Sequence, residues 1–156
     1  MIEIDIPGRG IYRFEHLALD LNGTIALDGV VIGGVQERLD NLAKLLDISI
    51  ITADIAGNAR QVAEALGVKV HKVEAGNESA QKLEFVRRLG SESTVAIGNG
   101  SNDVDMLREA ALGICALGPE GTATEAVNNC DVVAPDINTA LDLLLKPKRL
   151  IATLRR

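Results

Sequence analysis

The sequence predicts an α/β protein: a three-layer α/β/α, Rossmann-like fold with a mostly parallel sheet and an N-terminal β-hairpin. From residue 48 onward, short apolar runs of strand length alternate with longer segments of helical periodicity. The runs are apolar at nearly every position, which is typical of parallel strands that helices cover on both faces. By contrast, the opening MIEIDI alternates apolar and polar residues and is followed by a turn sequence, PGRG, which favours a hairpin.

Local signals place the elements up to residue 47. After the turn, IYRFEHLALD continues as extended chain into a buried strand that ends at Asp20. IALDGVVI is predicted to form a short strand pair, because Asp28-Gly29 suits a tight type I′ turn. Gly33-Gly34 then precedes a helix, VQERLDNLAKLL.

Strands and helices alternate in the remainder of the chain. The predicted strands are ISIIT (48–52), VKVHKV (68–73), TVAIG (94–98), LGICAL (112–117) and DVVA. The predicted helices are a segment from about 58 to 66, SAQKLEFVRRLG, a segment from about Asn102, TATEAVNN and INTALDLLLK. Since no linker or low-complexity segment interrupts the series, residues 1–156 are expected to form a single domain. Residues 146–156 are predicted to form a basic helix end that is solvated rather than a docking patch.

Composition excludes several classes of partner. Hydrophobic residues make up 47% of the chain but aromatic residues only 2%, so stacking platforms for nucleic acid are scarce. A net charge of −6 also argues against nucleic-acid binding. The chain has too few soft ligands for a zinc site: two cysteines, Cys115 and Cys130, and two histidines, His16 and His71. The low cysteine content indicates a protein whose thiols stay reduced. Without a signal peptide or a long apolar run, we expect a cytoplasmic protein that does not insert into membranes.

Polar residues follow three predicted strands. HLALD ends at Asp20, ISIIT ends at Thr52, and TVAIG leads into Asn99, Gly100, Ser101, Asn102 and Asp103. Carboxyl ends of parallel strands meet at one edge of the sheet, where helix N-termini favour anions. Each of these three polar segments, taken alone, is as typical of a turn or a helix cap as of a functional site. The hypothesis of a functional site therefore depends on the set and its order.

The ordered set Asp-x-Asn-Gly-Thr, Thr, Lys and Gly-Asn-Gly-Ser-Asn-Asp resembles the haloacid dehalogenase superfamily of phosphotransferases. Within it, the chain is most similar to soluble relatives of the P-type ATPase phosphorylation domain, over residues from about 13 to 145. The resemblance implies that Asp20 attacks phosphorus and becomes an aspartyl phosphate.

It implies further roles for the residues around Asp20. The phosphate-binding groups are Thr24, Thr52, the backbone N–H of Ala53, and Lys82, which neutralises charge that develops in the transition state. Mg²⁺ is the implied cofactor. Its implied ligands are Asp20, the backbone carbonyl of Asn22, Asn99 and Asp103, with Gly98, Gly100 and Asn102 supporting the loop.

Two positions depart from the family pattern. Asn99 replaces an acidic metal ligand, so we expect weaker Mg²⁺ binding. Asn22 stands where family phosphatases usually carry a second Asp that acts as general acid and base, and P-type ATPases carry a non-acidic residue there. An amide cannot deliver the proton, and the loss of acid–base help typically costs roughly 10²- to 10⁴-fold in rate. We therefore expect a slow phosphatase that favours good leaving groups such as acyl phosphates, ATP and aryl phosphates.

Many relatives insert a cap domain after the first motif or between the second and third. Residues 25–47 and 53–81 have room only for the elements above, so we expect a capless protein. An open site of this kind suggests that a second subunit or a larger protein partner covers it. The substrate is expected to be a small phosphorylated molecule or ATP.

The same residues bear on three other functions. Because Asn22 and Asn99 are neutral, a phosphate- or nucleotide-responsive regulator with little catalytic activity stays open. Dinucleotide binding through Gly98-Asn99-Gly100 is disfavoured, because Asp103 would repel a pyrophosphate. Receiver domains also phosphorylate an Asp at a strand end but lack the Gly-Thr that follows Asp20.

Overall fold

The computed structural model describes residues 1–53 and 57–156. Its strands are β1 (Ile2–Ile6), β2 (Gly10–Phe14), β3 (His16–Asp20), β4 (Ala26–Leu27), β5 (Val30–Val31), β6 (Asp47–Thr52), β7 (Lys69–Lys72), β8 (Thr94–Gly98), β9 (Leu112–Ala116) and β10 (Val132–Ala134). Its helices are α1 (Val35–Leu42), α2 (Ala59–Leu66), α3 (Glu78–Leu89), α4 (Val104–Glu109), α5 (Thr124–Asn128), α6 (Ile137–Leu145) and α7 (Pro147–Leu154). Short 3₁₀ turns lie at Ser91–Ser93 and Ser101–Asp103.

In the described part of the chain, the central sheet has six parallel strands in the order β10-β9-β8-β3-β6-β7. β3 lies in the middle, between β8 and β6. Since the strands are parallel, Asp20, Thr52 and Gly98 end β3, β6 and β8 at the same edge of the sheet. The predicted parallel α/β fold is confirmed, and the sheet positions the site.

Helices cover both faces of the sheet. One face carries α1, α2, α6 and α7, and the apolar side of the β1–β2 hairpin joins the same core. The other face carries α3, α4 and α5 over a smaller cluster that includes Val86, Met106 and Ala126. The strands between them contribute small and branched aliphatic side chains, because only 2% of the residues are aromatic. The result is the three-layer arrangement that the sequence predicts.

Both predicted hairpins form. β1 pairs with β2 in an antiparallel two-stranded sheet of its own. β4 pairs with β5, and Asp28 and Gly29 between them have φ values of 51° and 79°. A type I′ turn requires positive φ at both central residues, which explains why this Asp-Gly pair stands there.

Two elements differ from the predictions. The closing segment is two helices, since α6 ends at Leu145 and Pro147 begins α7. Proline fits the first turn of a helix but breaks a helix interior, so the chain reorients at this residue. In addition, β7 is not buried on both faces: Lys69, Val70 and Lys72 are exposed, because β7 is the edge strand of the sheet.

The stretches where relatives insert a cap hold little structure. Residues 25–47 contain the β4–β5 hairpin and α1, and the described part of 53–81 contains α2, β7 and the start of α3. Neither described stretch holds an additional domain. The prediction for 53–81 also falls on residues 54–56, which lie outside the described residues. In residues 1–53 and 57–156, no helix has the length and apolar character needed to span a bilayer.

Candidate active site

Asp20 ends the central strand β3 and is held from two sides. The residue is 7% exposed. Lys82 Nζ donates to Asp20 Oδ1 over 2.8 Å, and Thr24 Oγ1 lies 3.1 Å from Asp20 Oδ2. Burial raises the pKa of Asp20 to about 6, the Asp103 carboxylate adds to the rise, and Lys82 and Thr24 oppose it. A buried carboxylate fixed in this way presents its oxygens in one defined orientation.

The loop after Asp20 turns sharply so that Thr24 faces back toward Asp20. Gly23 has a φ of 77°, which favours glycine, and its N–H donates to the carbonyl of Ala26. Three successive N–H groups, those of Thr24, Ile25 and Ala26, donate to the carbonyl of Leu21. Asn22 is exposed and lines the cleft in front of Asp20.

Lys82 is a buried cation between two carboxylates. It lies on α3, its side chain is 1% exposed, and Nζ donates to Asp20 Oδ1 over 2.8 Å and to Asp103 Oδ1 over 2.7 Å. Burial lowers the pKa of this ammonium group, but the two carboxylates outweigh burial and raise it to about 12. Lys82 is therefore charged at neutral pH and directed at Asp20.

Asp103 organises the loop that follows β8. It is completely buried, and its Oδ2 accepts hydrogen bonds from the N–H groups of Asn99 and Gly100, each over 3.0 Å. Gly98 leaves room for this carboxylate, since a Cβ at that position would lie 2.5 Å from Asp103 Cγ. With Oδ1 bound to Lys82, both oxygens of Asp103 already accept hydrogen bonds inside the protein. Asp103 therefore lies behind the cleft surface.

The Asn99 side chain points from this loop toward Asp20. Its Nδ2 donates to the carbonyl of Gly121 over 3.2 Å, which directs its Oδ1 to within 3.0 Å of Thr24 Oγ1. One hydroxyl proton on Thr24 thus faces two acceptors, Asp20 Oδ2 and Asn99 Oδ1, and can satisfy only one at a time. Hard oxygen donors that converge in this way fit a small divalent cation such as Mg²⁺.

Thr52 and Ala53 complete the sheet edge beside Asp20. Thr52 is 3% exposed at the end of β6, and Ala53 is half-buried directly after it. Both line an open cleft of about 400 Å³ together with Asp20, Asn22, Lys82, Asn99, Gly100 and Asn102. The other predicted site residues, Thr24, Gly98 and Asp103, do not line the cleft.

Two carboxylates that the sequence analysis missed also line the cleft, Glu78 and Glu120. Glu78 begins α3, and its Oε2 accepts a hydrogen bond from Asn102 Nδ2 over 2.6 Å. It lies four residues before Lys82 on the same helix face, which is the signal that could have identified it. Glu120 lies in the loop after β9. The sequence feature that could have identified it is that this loop leaves the same edge of the sheet.

The cleft therefore carries more negative than positive charge. Asp20, Glu78 and Glu120 line it, Asp103 lies behind its surface, and Lys82 is the single cation among the described residues that line it. The described residues contain no group of three or more His, Cys, Asp or Glu arranged to hold a metal ion. A cation here would depend on Asp20 together with amide and backbone oxygens and with water, a donor set suited to Mg²⁺.

Known proteins with similar sequences include two from one organism. An uncharacterized protein of Methanocaldococcus jannaschii is 44% identical over 92 residues, which cover 56% of this chain and 99% of that protein. A soluble P-type ATPase-like phosphatase of the same organism is 27% identical over 135 residues, which cover 85% of this chain and 50% of that protein.

A similar fold occurs in a 3-deoxy-D-manno-octulosonate 8-phosphate phosphatase from Moraxella catarrhalis, solved in complex with a magnesium ion, a phosphate ion and a KDO molecule. The TM-score is 0.68 at 21% identity, with 91% of this chain and 94% of that chain covered. Residues 15–138, which contain every predicted site residue, match the family described as haloacid dehalogenase-like hydrolase. This chain belongs to the haloacid dehalogenase-like hydrolases.

Proposed function

We propose that the protein is a Mg²⁺-dependent phosphatase or phosphotransferase that forms an aspartyl phosphate on Asp20. The observation that carries the proposal is the position of Asp20 at the centre of the sheet edge, buried, held by Lys82 and Thr24, and open to a cleft. A binding protein for an anion has no use for a carboxylate directed at that anion. The soluble P-type ATPase-like phosphatase among its relatives supports a phosphatase reaction.

In the first step, an Asp20 oxygen attacks phosphorus in line, the bond to the leaving oxygen breaks, and that oxygen keeps the electron pair. In the second, water attacks the phosphorus and loses a proton to the solvent, the bond to Asp20 breaks, the carboxylate is restored and inorganic phosphate leaves. The N–H of Ala53 and the hydroxyl of Thr52 would hold phosphoryl oxygens. Lys82 would balance the charge that develops on them.

The approach of one anion to another is the main obstacle. Two like unit charges at ~4 Å repel by about 4 kcal/mol at an effective dielectric constant near 20, and a phosphate dianion roughly doubles this. Mg²⁺ bound by Asp20, the carbonyl of Asn22 and Asn99 would offset that repulsion and orient the phosphoryl group. Since both Asp103 oxygens accept hydrogen bonds, we assign Asp103 the role of holding Lys82 and the Asn99 loop toward that site.

Asn22 sets the substrate range. Its side chain lines the cleft but has no proton to give at the needed pKa. The leaving group must therefore depart as a stable anion, as it does from acyl phosphates, ATP and aryl phosphates. We infer a slow enzyme with a persistent phosphoenzyme, acting on a small phosphorylated molecule or ATP in the cytoplasm, with a second subunit or larger partner over the open cleft.

The direct test is a search for the phosphoenzyme. Wild-type protein is incubated with acetyl phosphate or ATP, with Mg²⁺ or with EDTA, and its intact mass is measured. We expect one added phosphoryl group only with Mg²⁺, and none in Asp20→Asn, which keeps the shape of the side chain but lacks the nucleophile. Turnover without an adduct, or an adduct in Asp20→Asn, would contradict the aspartyl mechanism.

One alternative has a specific observation in its favour. Two positions of the cleft that are usually acidic carry the neutral residues Asn22 and Asn99, which fits a phosphate- or nucleotide-responsive regulator. Tight phosphate binding, with neither an adduct nor turnover in the same experiment, would establish that role.

A further inference from the structure

We propose that Glu120 is part of the cation site: its carboxylate accepts hydrogen bonds from metal-bound water and restores the negative charge that is missing at Asn99. The inference rests on the proposed function for the identity of the cation, and it deepens that function by adding a residue that holds it. The carboxylate belongs to the turn Gly118–Gly121 after β9.

The backbone fixes this turn against the loop that follows Asp20. The N–H of Gly121 donates to the carbonyl of Gly118 over 3.0 Å, which closes a β-turn with Pro119 and Glu120 at its centre. Proline at the first central position and glycine at the end favour this turn. Gly118 has no room for a side chain, since a Cβ there would lie 2.5 Å from the carbonyl oxygen of Gly23.

The same turn is bound to Asn99. Asn99 Nδ2 donates to the carbonyl of Gly121 over 3.2 Å, and the N–H of Ala123 donates to the carbonyl of Asn99 over 2.9 Å. The turn, the Asn99 side chain and the loop at Gly23 therefore form one packed unit. Glu120 is held beside Gly23 and the Asn99 side chain, although it is 21 residues away in the sequence from Asn99.

The side chains of Glu120 and Asn99 both approach Gly23. A Cβ on Gly23 would collide with Glu120 Oε2 and would lie 2.8 Å from Asn99 Nδ2. The carbonyl of the preceding residue, Asn22, is one of the proposed ligands. The Glu120 carboxylate thus lies directly over the chain segment that supplies this ligand, on the cleft side.

Glu120 is also available for the role. Within the described residues it makes no hydrogen bond or ion pair, whereas Glu78, which lines the same cleft, is bound to Asn102. Mg²⁺ keeps several of its water ligands in protein sites, and those waters need acceptors. A carboxylate that accepts from them orients them and adds charge, and removal of such a partner typically weakens metal binding by about 10- to 100-fold.

The test is Mg²⁺ binding to the full, metal-free chain, measured by titration calorimetry without any substrate. Glu120→Gln should weaken binding by about 10-fold. Glu78→Gln, which removes the same charge from the same cleft, should weaken it by less than about 2-fold, because that carboxylate is already bound to Asn102 and its charge is screened by water. Asn99→Asp in the Glu120→Gln background should restore most of the lost affinity. Glu120 is exposed, so its substitution should leave the fold intact, and circular dichroism verifies the fold of each variant, including the one that changes the buried Asn99.

Unchanged affinity in Glu120→Gln, or an equal loss in Glu78→Gln, overturns the inference. The phosphoenzyme measurement on the same wild-type sample separates this result from the proposed function. An adduct together with unchanged affinity in Glu120→Gln leaves the proposed function standing and removes Glu120. A loss of affinity without any adduct supports the role of Glu120 and overturns the aspartyl mechanism.

Discussion

Replacement of Asp20 by Asn should stabilise the metal-free protein at neutral pH, although it removes the proposed nucleophile. Burial raises the pKa of Asp20 from its ordinary value of 3.8 to about 6; Asp103 adds to the rise and Lys82 opposes it. The folded protein therefore binds this proton more tightly than the unfolded chain does. Ionisation of Asp20 consequently costs folding free energy, and an amide avoids that cost.

The size of the effect follows from the pKa. A rise of about two pKa units corresponds to about 3 kcal/mol of unfolding free energy. Below pH 3.8 both states hold the proton and the cost is absent; it grows as the pH rises and is complete above about 6. For a chain of this size, about 3 kcal/mol corresponds to a Tm higher by about 6–12 °C.

The assay is unfolding of wild type and Asp20→Asn in EDTA at pH 4 and pH 8. We expect nearly equal stability at pH 4 and a more stable variant at pH 8. Asp142→Asn is the matched control of opposite sign, because hydrogen bonds from Arg38 hold the pKa of Asp142 below its usual value. That control should be less stable than wild type at pH 8, with the loss shrinking as the pH falls through the lowered pKa.

The reasoning is refuted if Asp20→Asn is no more stable than wild type at pH 8. It is also refuted if the variant has the same advantage at pH 4, because a packing effect would not depend on pH. Addition of Mg²⁺ should reverse the order at pH 8, since a bound cation favours the ionised carboxylate of wild type.

Three further predictions concern the site. Asn99→Asp should lower the Mg²⁺ concentration that gives half-maximal p-nitrophenyl phosphate hydrolysis, because a full charge replaces a dipole; an unchanged half-saturation point would remove Asn99 from the metal shell. Asn22→Asp should raise turnover of glucose 6-phosphate by up to roughly 10²-fold, affect the aryl ester less and shorten the phosphoenzyme lifetime. No gain on either substrate would place the general acid elsewhere. Gly98→Ala should cost about 1–3 kcal/mol in denaturant unfolding, because its Cβ would lie 2.5 Å from Asp103 Cγ, whereas Gly33→Ala, with open space around it, should cost far less; equal costs would contradict this packing.

The fold could be predicted from the hydrophobic periodicity of the sequence, because burial determines whether each position of a strand or helix is apolar or polar. HLALD, ISIIT and TVAIG are apolar because helices cover both sides of the sheet, and all three strands formed. The parallel order then explains why Asp20, Thr52 and the Asn99 loop meet. No sequence pattern predicted that Lys82 is buried, because a lysine in an amphipathic helix is usually solvated. Only the family resemblance identified it as a site residue. The structure places it 1% exposed against Asp20 and Asp103, while its function stays a prediction.

The sequence by itself determined the type of fold and the strand ends at which reactive residues gather, because backbone hydrogen bonding and burial impose a regular pattern. Only the tertiary structure decided which charges face each other there. It turned Asp103 away from the cleft toward Lys82 and the backbone, and it brought Glu120 over Gly23 through a close approach of two loops. Loops have no periodicity, so the place of a loop side chain is set by the surface on which the loop packs, and that surface exists only after the sheet has formed.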